Sequence, residues 1–186
     1  MIKISAFIIM STLLLSSCGQ RGNKAAAGTP ATSEEQAVAA EVVTPAIPKV
    51  GDKFVDFTIT LSEGKTVKFS DYIGCGKVVL VDFWASWCGP CRREIPNIKA
   101  VYDKYKGDKF NVLGVAVWDE PEKSLEAMKE LEITWDVIIN AQKIPSDLYG
   151  IEYIPQIMLF GADGTLLATD LRGPAVEEAV KKALGL

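Results

Sequence analysis

From residue 77 to 85 the chain reads KVVLVDFWA, and from 110 to 117 it reads FNVLGVAV. Near-continuous apolar runs of this length, rich in β-branched residues, predict strands buried on both faces. Asp82, the one charge inside the first run, stands out. Residues 50–69 behave differently: DFTIT and KTVKF alternate and are separated by the turn-like SEGK, the pattern of a β-hairpin. Residues 90–106 read as a helix that Pro96 is expected to break or kink. A second helix is expected at 121–131, where Pro stands just inside the start and the first turn is acidic. A short strand follows at 136–139, then a brief helix in PSDLYG, 145–150, stopped by its glycine. Strands at 156–160 and 165–170 form a hairpin around GADG, and an amphipathic helix closes the chain at 176–184. Strands alternating with helices and ending in a hairpin predict an α/β fold, a mixed central sheet flanked by helices with an N-terminal hairpin extension. There is no internal repeat.

The front of the chain is of another kind. Residues 1–17 carry one cation, Lys3, and an apolar run from Ile4 to Leu15. That run is short for a bilayer span and has the build of an export signal. Leu15-Ser16-Ser17-Cys18 resembles the lipobox of bacterial lipoproteins, which implies cleavage before Cys18 and lipidation of its thiol. The alternative is an ordinary signal peptide or short anchor with an incidental cysteine. Acyl chains, at about 0.8 kcal/mol per buried methylene, would hold the protein on a membrane without a spanning helix. Residues 18–49 then turn to Ala, Thr, Pro, Glu and Gly, a composition that cannot bury enough surface to offset its ordering entropy and reads as a flexible linker. The expectation is a signal peptide at 1–17, lipidated Cys18 and linker at 18–49, and one domain at 50–186. The protein would be exported and membrane-anchored, facing the periplasm or cell exterior of a bacterium.

Composition narrows the chemistry. The 186 residues are 48% hydrophobic, enough for one ordinary core, and the net charge of −4 with no basic stripe offers nothing to nucleic acid. There is no histidine. Ser-His and Cys-His catalytic pairs, His-ligated zinc and CxxCH haem attachment are thereby excluded.

Directly after the first buried strand comes WCGPC, with Cys88 and Cys91 on a strand-to-helix junction. A sulfur at the start of a helix faces unpaired N–H groups and the positive end of the helix dipole, which lowers a thiol pKa and favours the attacking thiolate. Cys91, further into the helix, should be shielded, so the arrangement suits an exposed attacker and a buried resolver. Two other readings stay open. A structural disulfide closing so short a loop would constrain the unfolded chain little, and a metal site would need further ligands that no second CxxC or histidine supplies.

VVLVDFWASWCGPCRREIP resembles the active-site segment of thioredoxins, and YGIEYIPQIMLFGADGTLLA resembles their later segment around a cis-proline. GDKFVDFTI, the hairpin, CRREIP and the lipoprotein front resemble the TlpA/ResA branch of exported thiol-disulfide oxidoreductases, related to AhpC/TSA proteins. The likeness covers about residues 50–186. It implies a thioredoxin fold and an enzyme in which Cys88 is the nucleophile and Cys91 the resolving thiol of a redox disulfide. It also implies that Asp82 is a buried acid that takes the Cys91 proton, and that Glu94 is an acid beside the site. Burial raises a carboxyl pKa, so a proton-shuttling Asp82 is physically sensible; the alternative is an Asp paired with a lysine. Trp87, Gly89 and Pro90 would meet the substrate, and Pro155 would be the cis-proline, leaving the Ile154 backbone free to pair with an extended segment. Gln156 departs from the usual Thr of thioredoxins, so substrate preference does not carry over.

No cofactor is implied beyond the redox-active disulfide, and no metal. The implied partners are disulfide-bearing protein substrates, an upstream thiol or membrane electron donor, and the membrane through the Cys18 lipid. Cytochrome c maturation is one pathway the resemblance offers. The Gly-Pro between the cysteines resembles reducing members more than strong oxidants. One rival is a peroxide reductase, against which Ala85 stands where peroxiredoxins usually have Thr; another is a soft-metal (copper) carrier. Cys75, at the opposite end of the first buried strand, is too far from Cys88 and Cys91 to pair with them and is expected to be a partly buried free thiol, the alternative being an intermolecular bridge or mixed disulfide.

Overall fold

The structure, a computed structural model, describes residues 47–61 and 63–186. The leader, Cys18 and most of the proposed linker lie outside the described residues.

Five strands make the central sheet in the order β5-β4-β3-β6-β7. At its centre lies β3 (Val78–Trp84), every residue of which is buried. β4 (Phe110–Val117) runs parallel to β3, and β5 (Asp136–Gln142) runs parallel to β4. β6 (Gln156–Phe160) pairs antiparallel with β3, and β7 (Leu166–Ala168) pairs antiparallel with β6, so the sheet is mixed as expected. The hairpin of β1 (Thr58–Thr60) and β2 (Thr66–Lys68) forms a separate antiparallel pair. Upstream of it, a bridge between Lys53 and Thr165 covers the outer edge of β7. An edge so covered is a poorer template for unwanted strand pairing.

Period-two alternation divides the buried residues between two cores. Val79, Val81 and Phe83 of β3, with Leu113, Val115 and Val117 of β4, face a core containing Phe57, Ile59, Phe69 and Tyr149. Val78 and Leu80, with Phe110 and Val112, face the other core, built with Ile95, Ile98 and Val101 of α1 (Gly89–Tyr105) and Val176 and Val180 of α4 (Pro174–Leu184). Asp82 has the parity of Leu80 and therefore points toward the helical face of α1 and α4.

α2 (Pro121–Glu130) follows β4 and contributes Ala127 to a third, small cluster around the cysteines. α3 (Ile144–Tyr149) ends at Gly150, whose left-handed backbone (φ 63°) closes the helix as its lack of a Cβ allows. The Tyr149 hydroxyl donates to the Val55 carbonyl at 2.8 Å and accepts from the Val55 N–H at 2.9 Å, tying the segment before β1 to α3.

Two expectations change. α1 runs unbroken through Pro96. Pro96 is exposed while Ile95, Ile98 and Val101 stay buried, so the carbonyl that proline leaves without an intrahelical partner lies on the solvent side and the apolar stripe is preserved. β5 extends to Gln142, past the predicted stop at 139, because a register shift opposite Val115–Val117 accommodates Asn140 and Gln142 with positive φ (62° and 50°).

Candidate active site

β3 ends at Trp84 and delivers the chain, through Ala85 to Trp87, to the start of α1. Cys88 is the N-cap of that helix, with extended backbone angles, and Gly89 and Pro90 fill its first two positions. Proline fits there because its missing N–H would have had no helical partner anyway. The Cys91 N–H donates to the Cys88 sulfur at 3.1 Å, so the sulfur occupies the place usually taken by a capping oxygen. Cys88 and Cys91 are joined in a disulfide, with Cα atoms 5.3 Å apart. Electron density on a reduced Cys88 sulfur would be favoured here by that N–H and by the helix dipole.

Burial differs from expectation at one point. Cys91 is fully shielded, but Cys88 is only 3% exposed, so the attacking sulfur is not an open thiol in the disulfide form. The exposed surface around it comes from Trp87, 61% exposed, and from Gly89 and Pro90. Trp84, by contrast, is core. Both cysteines pack with Trp84, Ala85 and Ala127, and Ile154 packs against this same cluster. The Ile154-Pro155 peptide bond is cis. Among the described residues neither the N–H nor the C=O of Ile154 takes part in a hydrogen bond. The fold therefore brings together the two sequence segments singled out above, 63 residues apart between Cys91 and Ile154, as sequence numbering gives.

Asp82 is 1% exposed, and its Oδ1 has no hydrogen-bond partner. Its carboxyl is pushed up to about 7, first by burial, with the Arg172 cation pulling it down and the Glu94 charge adding to the rise. No lysine pairs with it among the described residues. Glu94, half-buried, is otherwise occupied: it accepts from the Asn97 amide at 2.7 Å and from the Gly173 N–H at 2.8 Å. It thus reaches the site through its charge on Asp82 and through the turn before α4.

One part of the site carried no signal in the sequence reading. Asp119, 7% exposed, sits between β4 and α2 and accepts four hydrogen bonds: Ser86 N–H at 2.7 Å, Ser86 Oγ at 2.8 Å, Ser124 Oγ at 2.7 Å and Glu120 N–H at 3.0 Å. Beside it the Trp87 indole donates to the Trp118 carbonyl at 3.0 Å. Trp118 has a left-handed backbone (φ 54°), a conformation that costs a non-glycine residue on the order of 1 kcal/mol and is held here by its neighbours. Together these contacts fix the loop that presents Cys88. Nothing in the order of residues linked Asp119 to Ser86.

Cys75 is exposed rather than partly buried and is free; its thiol lies 3.3 Å from the Ser70 carbonyl, at the end of β3 away from the disulfide. Among the described residues no group of three or more Cys, Asp or Glu is placed to hold a metal, and no helix is long and apolar enough to cross a membrane.

Comparison with known proteins agrees with this geometry. Residues 50–169 match the AhpC/TSA family. The thiol-disulfide oxidoreductase ResA of Geobacillus kaustophilus is 31% identical over 73% of this chain and 76% of its own length, and ResA of Bacillus subtilis is 25% identical over 63% and 64%. Among solved structures, the thioredoxin domain of a thiol-disulfide oxidoreductase from Bacteroides vulgatus superposes with a TM-score of 0.64 at 28% identity, over 73% of this chain and 97% of that one. The fold is a thioredoxin fold and the activity a thiol-disulfide oxidoreduction. The chain belongs to the AhpC/TSA family, within it to the TlpA/ResA-type thiol-disulfide oxidoreductases.

Proposed function

We propose that the protein reduces disulfides in partner proteins outside the cytoplasm, tethered to a membrane through lipid on Cys18 and the linker that follows it. Residues 1–17 would be the export leader, 18–49 the lipidated cysteine and tether, and 50–186 the working domain. The observation that carries the redox part is the Cys88–Cys91 disulfide at the N-cap of α1, packed against Ile154.

In the reducing direction the Cys88 thiolate attacks one sulfur of a substrate disulfide. A bond forms between Cys88 and that sulfur as the substrate S–S bond breaks, and the other substrate sulfur leaves as a thiolate that takes a proton. Cys91 then gives its proton to the Asp82 carboxylate and attacks the Cys88 sulfur. The Cys88–Cys91 disulfide forms as the bond between Cys88 and the substrate breaks, and the second substrate sulfur departs as a thiolate that takes a proton, which Asp82 can return. Two electrons pass from the enzyme dithiol to the substrate, and an upstream thiol or membrane electron donor restores the dithiol. A carboxyl poised near 7 suits this transfer, since it can accept a proton and give it up again near neutral pH. The unpaired backbone of Ile154 offers an extended substrate segment a donor and an acceptor, while Trp87, Gly89 and Pro90 supply the exposed surface it would lie on. No cofactor enters this cycle beyond the disulfide itself.

The direction is tested by the equilibrium reduction potential of the pair in a Cys75→Ser background. A value near thioredoxin's, about −270 mV, supports reduction of partners; a value nearer −120 mV would make the protein a disulfide donor and overturn the direction.

A further inference from the structure

Between β7 and α4 the chain turns at Leu171, Arg172 and Gly173, and both neighbours of the arginine are pinned. The Leu171 N–H donates to the Ile157 carbonyl on β6 at 3.1 Å. On the other side, the Gly173 N–H donates to the Glu94 carboxyl at 2.8 Å, and the Gly173 carbonyl accepts from the Asn97 amide at 2.9 Å, so α1 grips the turn with two side chains. Arg172 itself donates to the Leu171 carbonyl at 2.6 Å and, through its other terminal nitrogen, to the Pro155 carbonyl. Ile157 is the register partner of Asp82 across the β3–β6 pair. One residue of β6 therefore stands between the arginine turn and the buried acid. Among the described residues no carboxylate forms an ion pair with Arg172.

We propose that Arg172 is a positioning residue for the redox site: its guanidinium holds the Pro155 carbonyl and presents its positive charge to Asp82 across Ile157, joining the Ile154-Pro155 loop and the acid in one unit. The planar fork matters, because two carbonyls are engaged at once, which a lysine ammonium on a flexible stem does less well. The functional side of this inference rests on the reading of Asp82 as the proton acceptor for Cys91.

The sign of the effect is fixed by the groups around Asp82. Glu94 faces it from α1 and Arg172 from the β7–α4 turn, while its register partners, Gly114 on β4 and Ile157 on β6, are uncharged. The cysteines just beyond β3 add a titratable thiol pair only when reduced. Burial and Glu94 both favour the protonated acid, and Arg172 alone among these opposes them. Without the arginine, Asp82 should hold its proton to higher pH, so that less of it is ionised near neutral pH to accept the proton of Cys91.

The test is to titrate the Asp82 carboxyl by carbon-13 NMR in the otherwise intact chain, comparing wild type, Arg172→Met and Arg172→Lys. The methionine variant should move the midpoint upward by about one pH unit, the size expected of one charge at moderate distance in a partly screened interior. Arg172→Lys, which keeps the charge, should stay within a few tenths of wild type while raising KM for a disulfide-bearing peptide about threefold or more through the loosened loop. A midpoint unchanged in Arg172→Met, or moved as far in Arg172→Lys, would overturn the proposal. The underlying reading fails separately: if Asp82→Asn leaves the pH profile of turnover unchanged while Arg172→Met still moves the Asp82 midpoint, Asp82 is not the proton acceptor and its link to Arg172 stands.

Discussion

Two buried carboxyls flank the loop that carries the cysteines, and they are built in opposite ways. Asp119 spends its oxygens on four donors from Ser86, Ser124 and Glu120, whereas Asp82 has an oxygen with no partner at all. Both are nearly inaccessible, at 7% and 1% exposure. A carboxyl whose lone pairs are satisfied works as a fixed clamp, because protonating it would break bonds that hold the chain. A carboxyl left unpartnered in apolar surroundings is poorly stabilised as an anion, so its proton is near balance at neutral pH. On the proposed mechanism one acid serves shape and the other proton exchange, and the difference lies in their neighbours rather than in residue type.

The strongest way to break the comparison is to remove the sulfurs that the two acids serve. Cys88→Ser should abolish disulfide reduction, and Cys91→Ser should accumulate a covalent mixed disulfide with substrate that gel analysis without reductant detects. Next comes Asp82→Asn. Loss of a proton acceptor at the reacting group should slow resolution of the mixed disulfide by about 100-fold or more at pH 7, measured by stopped-flow.

The same variant should change stability in the opposite sense. In the native protein Asp82 is raised to about 7 from its ordinary 3.8, so between those pH values the folded chain keeps a proton that the unfolded chain has released. Stability is then fully present below about pH 4 and falls as pH rises toward 7, by on the order of 4 kcal/mol before relaxation is allowed for. Asp82→Asn never ionises and should lose this slope, becoming more stable than wild type at pH 8 but not at pH 4 in urea unfolding. An equal stability difference at both pH values would contradict the proposed burial cost.

Asp119→Ala should behave as a clamp does. It orphans the Ser86 and Glu120 N–H groups and should cost about 2 kcal/mol in stability at pH 7, while the midpoint of the activity profile stays where Asp82 sets it. The smallest effect is expected from Glu94→Gln. Its side-chain oxygen can still accept from Gly173, but the charge that helps raise Asp82 is gone, so the Asp82 midpoint should fall by a few tenths of a pH unit.

How far these features could be read in advance follows from what creates them. β4 lies at 110–117 as predicted, and β3 falls within the predicted 77–85, because buried strands are dictated by uninterrupted apolar runs. The placement of Cys88 at the opening of α1 followed from local order, since strand, turn and helix are consecutive. The Asp119 clamp was not legible: Ser86 lies 33 residues away and meets it only because β3 and β4 pair in parallel and end side by side. Arg172 was missed for a related reason, as an arginine beside a glycine in a turn reads as solvated surface until Glu94 and Asn97 are seen to hold that turn. Pro96 misled in the other direction: the hydrogen bond it removes lies on the exposed face of α1, where water can satisfy the freed carbonyl, so the helix continues.

The most direct test of the division between the two acids is the rate at which Cys91 resolves a mixed disulfide preformed on Cys88, followed from pH 5 to 9 in wild type and in Asp82→Asn. The account predicts a wild-type rate that rises through a midpoint near 7 and a variant that is slower and lacks that midpoint. Superimposable profiles would contradict it.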